Sequence, residues 1–174
     1  MSLRVADNVP PLKAEALTPT GKFEQIDLTK FRGKWVVVFF YPLDFTFVCP
    51  TEIKSFNEHY DEFKKLGAEV IGVSTDSVYS HKAWCESTLG QLKFPLIGDT
   101  NHTFTEGFGV LLPEKGVALR GTFIIDPDGK VRSATVNDLA VGRNVDETLR
   151  TLQAFQTGKL TGCGWKPGQQ PLNV

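Results

Sequence analysis

The chain has 174 residues, of which 41% are hydrophobic and 22% charged, and its formal net charge is −1. This length and apolar content are sufficient for one domain with a full hydrophobic core. The near-neutral charge, without a block of like charges, argues against a nucleic-acid partner, and no segment has the roughly 18 apolar residues of a membrane span. We therefore expect a single domain that binds neither nucleic acid nor membrane.

The chain has three cysteines, Cys49, Cys85 and Cys163. They are too few for the disulfide framework of a small secreted protein. The N-terminal residues 1–17 also lack the apolar region of a secretion signal. The sequence therefore predicts a cytoplasmic protein whose thiols are inert, catalytic or redox-sensing.

The first half of the chain shows alternating strand and helix patterns. Residues 1–33 are predicted to form an N-terminal extension with short strands or a hairpin. The apolar run "WVVVFFY" (35–41) predicts a central strand buried on both faces, and residues 68–75 predict a second buried strand. Between them, apolar residues spaced three and four apart predict one amphipathic helix of about four turns over 50–66.

The second half begins with a helical stretch at 80–89 and a short strand at 94–99. It continues with an antiparallel hairpin at 121–136 and a helix at 144–155, with Asn144 and Glu147 in capping-box positions. This order predicts an α/β, thioredoxin-like fold with a central mixed β-sheet flanked by helices. We expect residues 1–156 to form the domain and residues 157–174, rich in Gly and Pro, to form a flexible C-terminal arm.

Cys49 lies where the predicted central strand ends and the helix begins. The unpaired N–H groups and partial positive charge at the start of a helix favour a thiolate over a thiol there. The alternative is a small buried residue that only packs. The four residues Thr46 to Cys49 do not form a Cys-x-x-Cys motif, so an oxidised Cys49 requires a distant thiol.

The segment "YPLDFTFVCPTEI" (41–53) resembles the active-site segment of the peroxiredoxins, Pro-x-x-x-Thr-x-x-Cys, with Pro42, Thr46 and Cys49 at its defined positions. The segments "GVSTDS", "HKAW", "RGTFIIDPDGKVR" and "VGRNVDETLR" extend the resemblance through nearly the whole chain. The type that it resembles is the bacterial alkyl hydroperoxide reductase C, of the typical 2-Cys class. The resemblance implies a peroxidase without metal or organic cofactor that reduces hydrogen peroxide and alkyl hydroperoxides.

The resemblance also implies roles for individual residues. Cys49 attacks the peroxide and becomes a sulfenic acid. Thr46 hydrogen-bonds the thiolate and the peroxide, and Pro42 shields the pocket. Arg120 matches the active-site arginine, whose planar guanidinium stabilises the thiolate and the charge that develops as the O–O bond breaks.

Two further charged residues and a second thiol follow from the same resemblance. Glu52 and Arg143 match an acid and a base that hold the active-site arginine, with an ordinary surface ion pair as the alternative. Cys163 is the implied resolving thiol, which forms a disulfide with the reacting cysteine of the other subunit. The usual resolving cysteine lies four residues before a tryptophan, but that position is Thr161 here, counted from Trp165. Direct reduction by an external thiol is therefore a second possibility.

The class implies a homodimer that assembles further into a decamer. It also implies an electron donor, either thioredoxin or a dedicated disulfide reductase. The sequence does not distinguish between these reductants, nor does it rank the peroxides.

Other functions stay open at this point. Cys85 is expected to pack, although His81 and Cys85 could form half a metal site; no second pair with suitable spacing exists, so we expect no metal. A Cys–His hydrolase is a rival, since the chain has three histidines. His59 is excluded as the base by its distance of about 15 Å along the predicted helix. Distance does not exclude His81 and His102. A thiol sensor without turnover and an inactive thioredoxin-like module are the remaining alternatives.

Overall fold

The structure is a computed structural model that describes residues 3–173. Its strands are β1 (Lys13–Leu17), β2 (Phe23–Asp27), β3 (Trp35–Phe40), β4 (Ala68–Ser74), β5 (Leu96–Gly98), β6 (Leu111–Leu112), β7 (Val117–Ala118), β8 (Arg120–Ile125) and β9 (Val131–Asn137). Its α-helices are α1 (Cys49–Glu58), α2 (Tyr60–Lys65), α3 (Val78–Trp84), α4 (Thr103–Gly107) and α5 (Val145–Gln156). A short 3₁₀ helix covers Leu28–Phe31, and a π-helix covers Cys85–Leu89.

Seven strands form one mixed sheet in the order β2-β1-β5-β4-β3-β8-β9, and β6 and β7 form a separate two-stranded sheet. Strand β3 pairs in parallel with β4 on one side and antiparallel with β8 on the other. The mixed sheet with helices on its faces confirms the α/β architecture predicted from the sequence. Within the described range, none of the helices combines the length and the apolar composition that crossing a membrane requires.

The central strand β3 contributes to both hydrophobic cores, as the continuous apolar run predicted. Its alternate side chains point to opposite faces of the sheet. Val37 and Phe39 pack in the core beneath α1, α2 and α5, which also contains Cys49. Val36 and Val38 pack in the core on the other face, with Phe104 of α4. The buried cysteine therefore belongs to one particular face of the sheet.

The N-terminal hairpin was correctly predicted, and it also extends the sheet. Strands β1 and β2 pair antiparallel from Lys13 opposite Asp27 to Leu17 opposite Phe23. Strand β1 then pairs with β5 through Ala16 and Leu17. The predicted extension is therefore one edge of the main sheet.

The prediction of a single helix over residues 50–66 was wrong, because the chain forms two helices separated at His59. The backbone of His59 has φ −86° and ψ 1°, outside helical geometry. Its Nδ1 lies 2.8 Å from the carbonyl oxygen of Ser55. Apolar periodicity continues across this break, because Phe56 and Phe63 are both fully buried. The spacing of apolar residues therefore did not reveal the break.

The hairpin β8–β9 and helix α5 agree with the prediction. The Asn144 side chain caps α5 by accepting a hydrogen bond from the Glu147 N–H. The Glu147 carboxylate accepts from Arg150 at 2.6 and 2.7 Å. The N-terminal cap is thus formed by Asn144, while the glutamate pairs along the helix.

Residues 157–173 contain neither helix nor strand, as their Gly and Pro content predicted. The arm is nevertheless attached to the domain, because Trp165 is buried. Arg150 of α5 donates to the Trp165 carbonyl at 3.0 Å, and the indole Nε1 donates to the Gln169 carbonyl at 3.0 Å. Cys163 lies close to this anchor and is exposed.

Candidate active site

Cys49 is the first residue of α1, and its side chain is fully buried. Strand β3 ends at Phe40, and the loop 41–48 leads to the helix. Pro50 occupies the first turn, where a missing N–H costs no helical hydrogen bond. Within residues 3–173, no side chain caps the start of α1. The partial positive charge of the helix terminus is therefore directed at the cysteine.

Arg120 contacts the sulfur of Cys49. Its Nη1 lies 3.4 Å from Cys49 Sγ and 2.7 Å from Glu52 Oε2, and its Nε donates to the Leu139 carbonyl at 2.9 Å. Strand pairing explains the approach, because β8 runs antiparallel to β3. The beginning of β8, where Arg120 lies, is therefore beside the end of β3, where the active-site loop begins.

Arg143 holds the other side of the Glu52 carboxylate. Its Nε and backbone N–H donate to Glu52 Oε1 at 2.9 and 3.0 Å, and its Nη2 donates to Oε2 at 3.2 Å. The same guanidinium donates to the main-chain carbonyls of Gly121 and Phe40. The side chains of Arg143 and Glu52 are only 5% and 2% exposed, which excludes an ordinary surface ion pair.

The buried charges at this site do not balance without the cysteine. Arg120 and Arg143 bring two positive charges, and Glu52 brings one negative charge. A thiolate at Cys49 makes the group neutral, whereas a thiol leaves one positive charge uncompensated. Burial lowers the pKa of Arg143 below its usual value, and its hydrogen bonds to Glu52 oppose that shift. Since an unpaired buried charge costs several kcal/mol, the arrangement favours the thiolate.

Pro42 and Thr46 lie in the loop that leads to Cys49. Pro42 is buried, and Thr46 is partly exposed. The Thr46 hydroxyl donates its proton to the Leu43 carbonyl at 2.9 Å. A hydroxyl has one proton but two acceptor lone pairs. The hydrogen bond that the resemblance implies from Thr46 to the thiolate is therefore not made here, and Thr46 is available only as an acceptor.

Cys85 lies outside this group of charges. Burial raises the pKa of Cys85 to about 11, and the nearby carboxylates of Asp44 and Glu86 add to the effect. The side chain therefore stays a protonated thiol. Among the described residues, no group of three or more His, Cys, Asp or Glu side chains is arranged to hold a metal ion. His81 and Cys85 are therefore not joined by further metal ligands within that range.

The structure excludes the three histidines as a base for Cys49. His81 has both ring nitrogens on acceptors, at 2.8 Å from Asp44 Oδ2 and 3.0 Å from the Ile97 carbonyl. His59 faces Ser55 and Asp146. His102 precedes α4, which packs on the opposite face of the sheet. The Cys–His hydrolase is therefore excluded.

Cys163 is not brought to Cys49 within one chain. It borders a surface groove with Trp35, the first residue of β3, and Asp126, which follows the last residue of β8. Cys49 follows the opposite end of β3. Five residue steps along a strand span about 16 Å. The two thiols therefore lie towards opposite ends of the sheet.

Some contacts of the site had no signal in the sequence. The carbonyl oxygens of Leu139 and Gly121, which orient the two arginines, belong to the main chain. Asp44 did have a signal that the sequence analysis missed. It is a charged residue in an otherwise apolar segment, between Pro42 and Thr46, and it is buried.

Comparison with known proteins agrees with this geometry. A family model described as the AhpC/TSA family matches residues 5–134. Peroxiredoxin-1 of Gallus gallus is 49% identical over 172 residues, which covers 94% of this chain and 86% of that protein. The reduced 2-Cys peroxiredoxin of Plasmodium vivax is similar in structure, with a TM-score of 0.93 and 37% identity over 97% of this chain and 92% of that chain. AhpC of Enterococcus faecalis has a TM-score of 0.86 and 40% identity, covering 90% of this chain and 94% of that chain.

These similarities extend through the mixed sheet, the active-site loop and the helices around it. They confirm the thioredoxin-like fold predicted from the order of strands and helices. The chain therefore belongs to the AhpC/TSA family, as a typical 2-Cys peroxiredoxin.

Proposed function

We propose that this peroxiredoxin reduces hydrogen peroxide and alkyl hydroperoxides with Cys49 as the attacking thiol. Thiol-dependent peroxide reduction through an intersubunit disulfide is the activity of the class to which the chain belongs. One observation supports the assignment to Cys49 above all others. Arg120 lies 3.4 Å from its buried sulfur, in a group of charges that balances only when the sulfur is ionised.

The first step forms an S–O bond while the O–O bond of the peroxide breaks. The thiolate of Cys49 becomes a sulfenic acid, and the leaving oxygen takes a proton to become an alcohol or water. Arg120 stabilises the negative charge that moves from sulfur to the leaving oxygen. Thr46 accepts a hydrogen bond from the peroxide O–H, since its own proton is donated to Leu43.

The second step forms a disulfide between Cys49 and Cys163 and releases water. We assign the two thiols to different subunits, because they lie towards opposite ends of the sheet in one chain. A disulfide needs a Cα separation of about 4.4–6.8 Å. Since Cys49 is buried in the first turn of α1, that turn has to open for Cys163 of a second copy to reach it. Residues 1–156 would then be the peroxidase domain and residues 157–174 the resolving arm.

The remaining partners follow from the same class. We assign thioredoxin or a dedicated disulfide reductase as the electron donor, in the cytoplasm. A decamer of five dimers is favoured by an exposed apolar surface next to the active site, where Phe45 and Phe47 are 57% and 95% exposed. Apolar side chains grouped on a surface in this way mark a contact with another protein.

Intact-mass analysis and turnover together test the proposal. One equivalent of peroxide per chain should convert one Cys49 thiol and one Cys163 thiol to a disulfide, and a dithiol reductant should then support repeated peroxide consumption. In a Cys163→Ser variant, one peroxide equivalent should instead add one oxygen atom to Cys49. Oxidation without repeated turnover would favour a thiol sensor, and no oxidation of Cys49 would contradict the assignment.

A further inference from the structure

A buried polar cluster lies beneath the active-site loop, outside the group of charges around Cys49. Its centre is Asp44, whose side chain is 1% exposed, paired with His81, whose side chain is 0% exposed. The Asp44 carboxylate accepts hydrogen bonds from the hydroxyls of Tyr41 and Ser80, each at 2.8 Å. His81 Nδ1 lies 2.8 Å from Asp44 Oδ2. Asp44 stands in the loop between Pro42 and Thr46.

Each nitrogen of the His81 ring lies within hydrogen-bond distance of an oxygen atom. Nδ1 faces the Asp44 carboxylate, and Nε2 faces the Ile97 carbonyl at 3.0 Å. A carbonyl and an ionised carboxylate only accept hydrogen bonds, and a neutral imidazole has a single N–H. The Tyr41 hydroxyl donates to Asp44 at 2.8 Å, while its distance to His81 Nδ1 is 3.4 Å. Hydrogen bonding therefore favours an imidazolium.

The charges around the pair lead to the same conclusion. Asp76 lies on the other side of the loop, where its Oδ2 accepts from the Asp44 N–H at 2.9 Å and from the Ser74 hydroxyl at 2.7 Å. Burial and the Asp44 charge raise the pKa of Asp76 above its usual value. Among the described groups hydrogen-bonded in this cluster, His81 is the one that can carry a positive charge. Beside an ionised Asp44, which the hydroxyls of Tyr41 and Ser80 favour by donating to it, a neutral His81 would leave a buried carboxylate without a counter-charge.

The loop needs such an attachment because its backbone is strained. Phe45, next to Asp44, has φ 56°, in the left-handed region that bulky residues rarely adopt. Phe45 is 57% exposed, but its ring packs on Trp84 of α3 at a centroid distance of 5.7 Å. The interactions of Asp44 and Phe45 with α3 thus hold the loop against its own local preference.

We propose that His81 is a positioning residue for peroxide reduction. As a buried imidazolium paired with Asp44, it holds the loop that carries Pro42 and Thr46 closed beside Cys49, and it restrains the opening that disulfide formation requires. His81 itself contacts neither the reacting sulfur nor Arg120. This inference rests on the proposed function. Absence of peroxidase turnover in the unmodified protein would contradict the proposed function itself, whereas the variants below test only the role of His81.

The proposal predicts opposite effects on the two chemical steps. When the pair is broken, the uncompensated Asp44 carboxylate is driven towards water, and the loop opens more often. The reaction of Cys49 with peroxide should become slower, because Thr46 and Pro42 are no longer held in place. Disulfide formation should become faster, because the opening precedes it. A residue that served only general stability would not accelerate either step.

Stopped-flow kinetics of the His81→Asn variant test this prediction. Asparagine keeps an amide donor near Nδ1 but cannot carry the charge. We expect the peroxide step to slow about tenfold and the disulfide step to accelerate several-fold. The matched control is His59→Asn, which removes the pair between the half-buried His59 and the exposed Asp146 at 3.2 Å. The control should leave both rate constants within about twofold.

A double-mutant cycle isolates the charge. Asp44→Asn together with His81→Asn removes both charges, so the double variant should recover part of the peroxide rate that His81→Asn loses. The proposal would be overturned if the double variant lost the product of the two single losses in the peroxide rate. It would also be overturned if His81→Asn slowed both the peroxide step and the disulfide step. A His81→Asn variant with the kinetics of the control would overturn it as well.

A measurement on the unmodified protein does not depend on the folding of any variant. Nitrogen NMR of a histidine-labelled sample at neutral pH should show both ring nitrogens of His81 protonated. Spectra of His59→Asn and His102→Asn samples assign the signal. A neutral tautomer at His81 would contradict the ion pair and with it the proposal.

Discussion

Cys49 and Cys85 are both shielded from water, but their surroundings carry opposite charge. Cys49 is 0% exposed and lies beside Arg120, at a helix terminus. Cys85 is only partly buried, and the charges near it are the carboxylates of Asp44 and Glu86, so that its pKa rises to about 11. Burial alone favours the neutral thiol in both places. We propose from this comparison that nearby cations, and not accessibility, determine which of these two thiols reacts.

The largest expected difference between the two thiols is in turnover. Cys49→Ser should abolish peroxide consumption, because a serine hydroxyl forms neither a thiolate nor a sulfenic acid. Cys85→Ser should leave most of the activity, because its sulfur is protonated and distant from the arginines. Steady-state peroxide consumption with a dithiol reductant measures both variants. Near-normal consumption by Cys49→Ser would overturn the comparison.

Cys163 extends the comparison to an exposed thiol. Peroxide-treated protein should migrate as a covalent dimer on a non-reducing gel, and Cys163→Ser should lose that band while Cys85→Ser retains it. The reason is the exposure of Cys163 and its place towards the opposite end of the sheet from Cys49. Peptide mapping should find Cys49 linked to Cys163. The same linkage in a monomer band would contradict resolution between subunits, and a link from Cys49 to Cys85 would contradict the role of Cys163.

Removing the cation should make Cys49 behave more like Cys85. Arg120→Ala is expected to slow the reaction with peroxide by about a hundredfold or more, the usual scale for one preorganised transition-state donor. Arg132→Ala is the control, because this arginine is 46% exposed and pairs with Asp126 away from the sulfur. Stopped-flow measurements compare the two variants. A loss of less than about threefold in Arg120→Ala would mean that the guanidinium does not act on the sulfur.

The smallest effect concerns Cys85 itself. At pH 9 a thiol with a pKa of about 11 is about 1% ionised, whereas an ordinary cysteine is mostly ionised. Because the thiolate is the reactive form, alkylation of Cys85 in a Cys49→Ser, Cys163→Ser variant should be about fiftyfold slower than in the unfolded chain. The rate should rise as the pH approaches 11. Equal alkylation rates of Cys85 in the folded and unfolded protein at pH 9 would show that its surroundings do not suppress its ionisation.

Much of the site lay in local patterns that a sequence expresses directly. The apolar run before Cys49 predicts where β3 ends, and Pro50 marks the beginning of α1. Glu52 follows Cys49 by three residues, so the spacing alone puts both on the same side of a helix. The resemblance to a peroxiredoxin motif rests on the same short segment. These features are decided by neighbours in the chain, and they did not require the fold.

Distant contacts were decided by the tertiary structure. Arg120 and Arg143 are separated from their partners by 71 and 91 residues, for Cys49 and Glu52 respectively. Arg120 approaches Cys49 because β8 pairs antiparallel with β3, and Arg143 is held there by the main-chain carbonyls of Gly121 and Phe40. The spacing in the sequence does not contain these relations. Sequence similarity identified these arginines, but their burial and the resulting charge balance are properties of the folded chain.

The break at His59 and the pair between Asp44 and His81 also depended on tertiary structure. At His59, a side chain bonds the backbone of its own helix, and the apolar spacing on either side hides the interruption. Asp44 and His81 are 37 residues apart, and the apolar segment around Asp44 does not indicate which residue pairs with it. The sequence by itself indicated Cys49 as the candidate reacting thiol, at the junction of a strand and a helix, because these features follow from local order. Only packing decided which buried charges face one another, because Coulomb interactions depend on separation in space and on the exclusion of water.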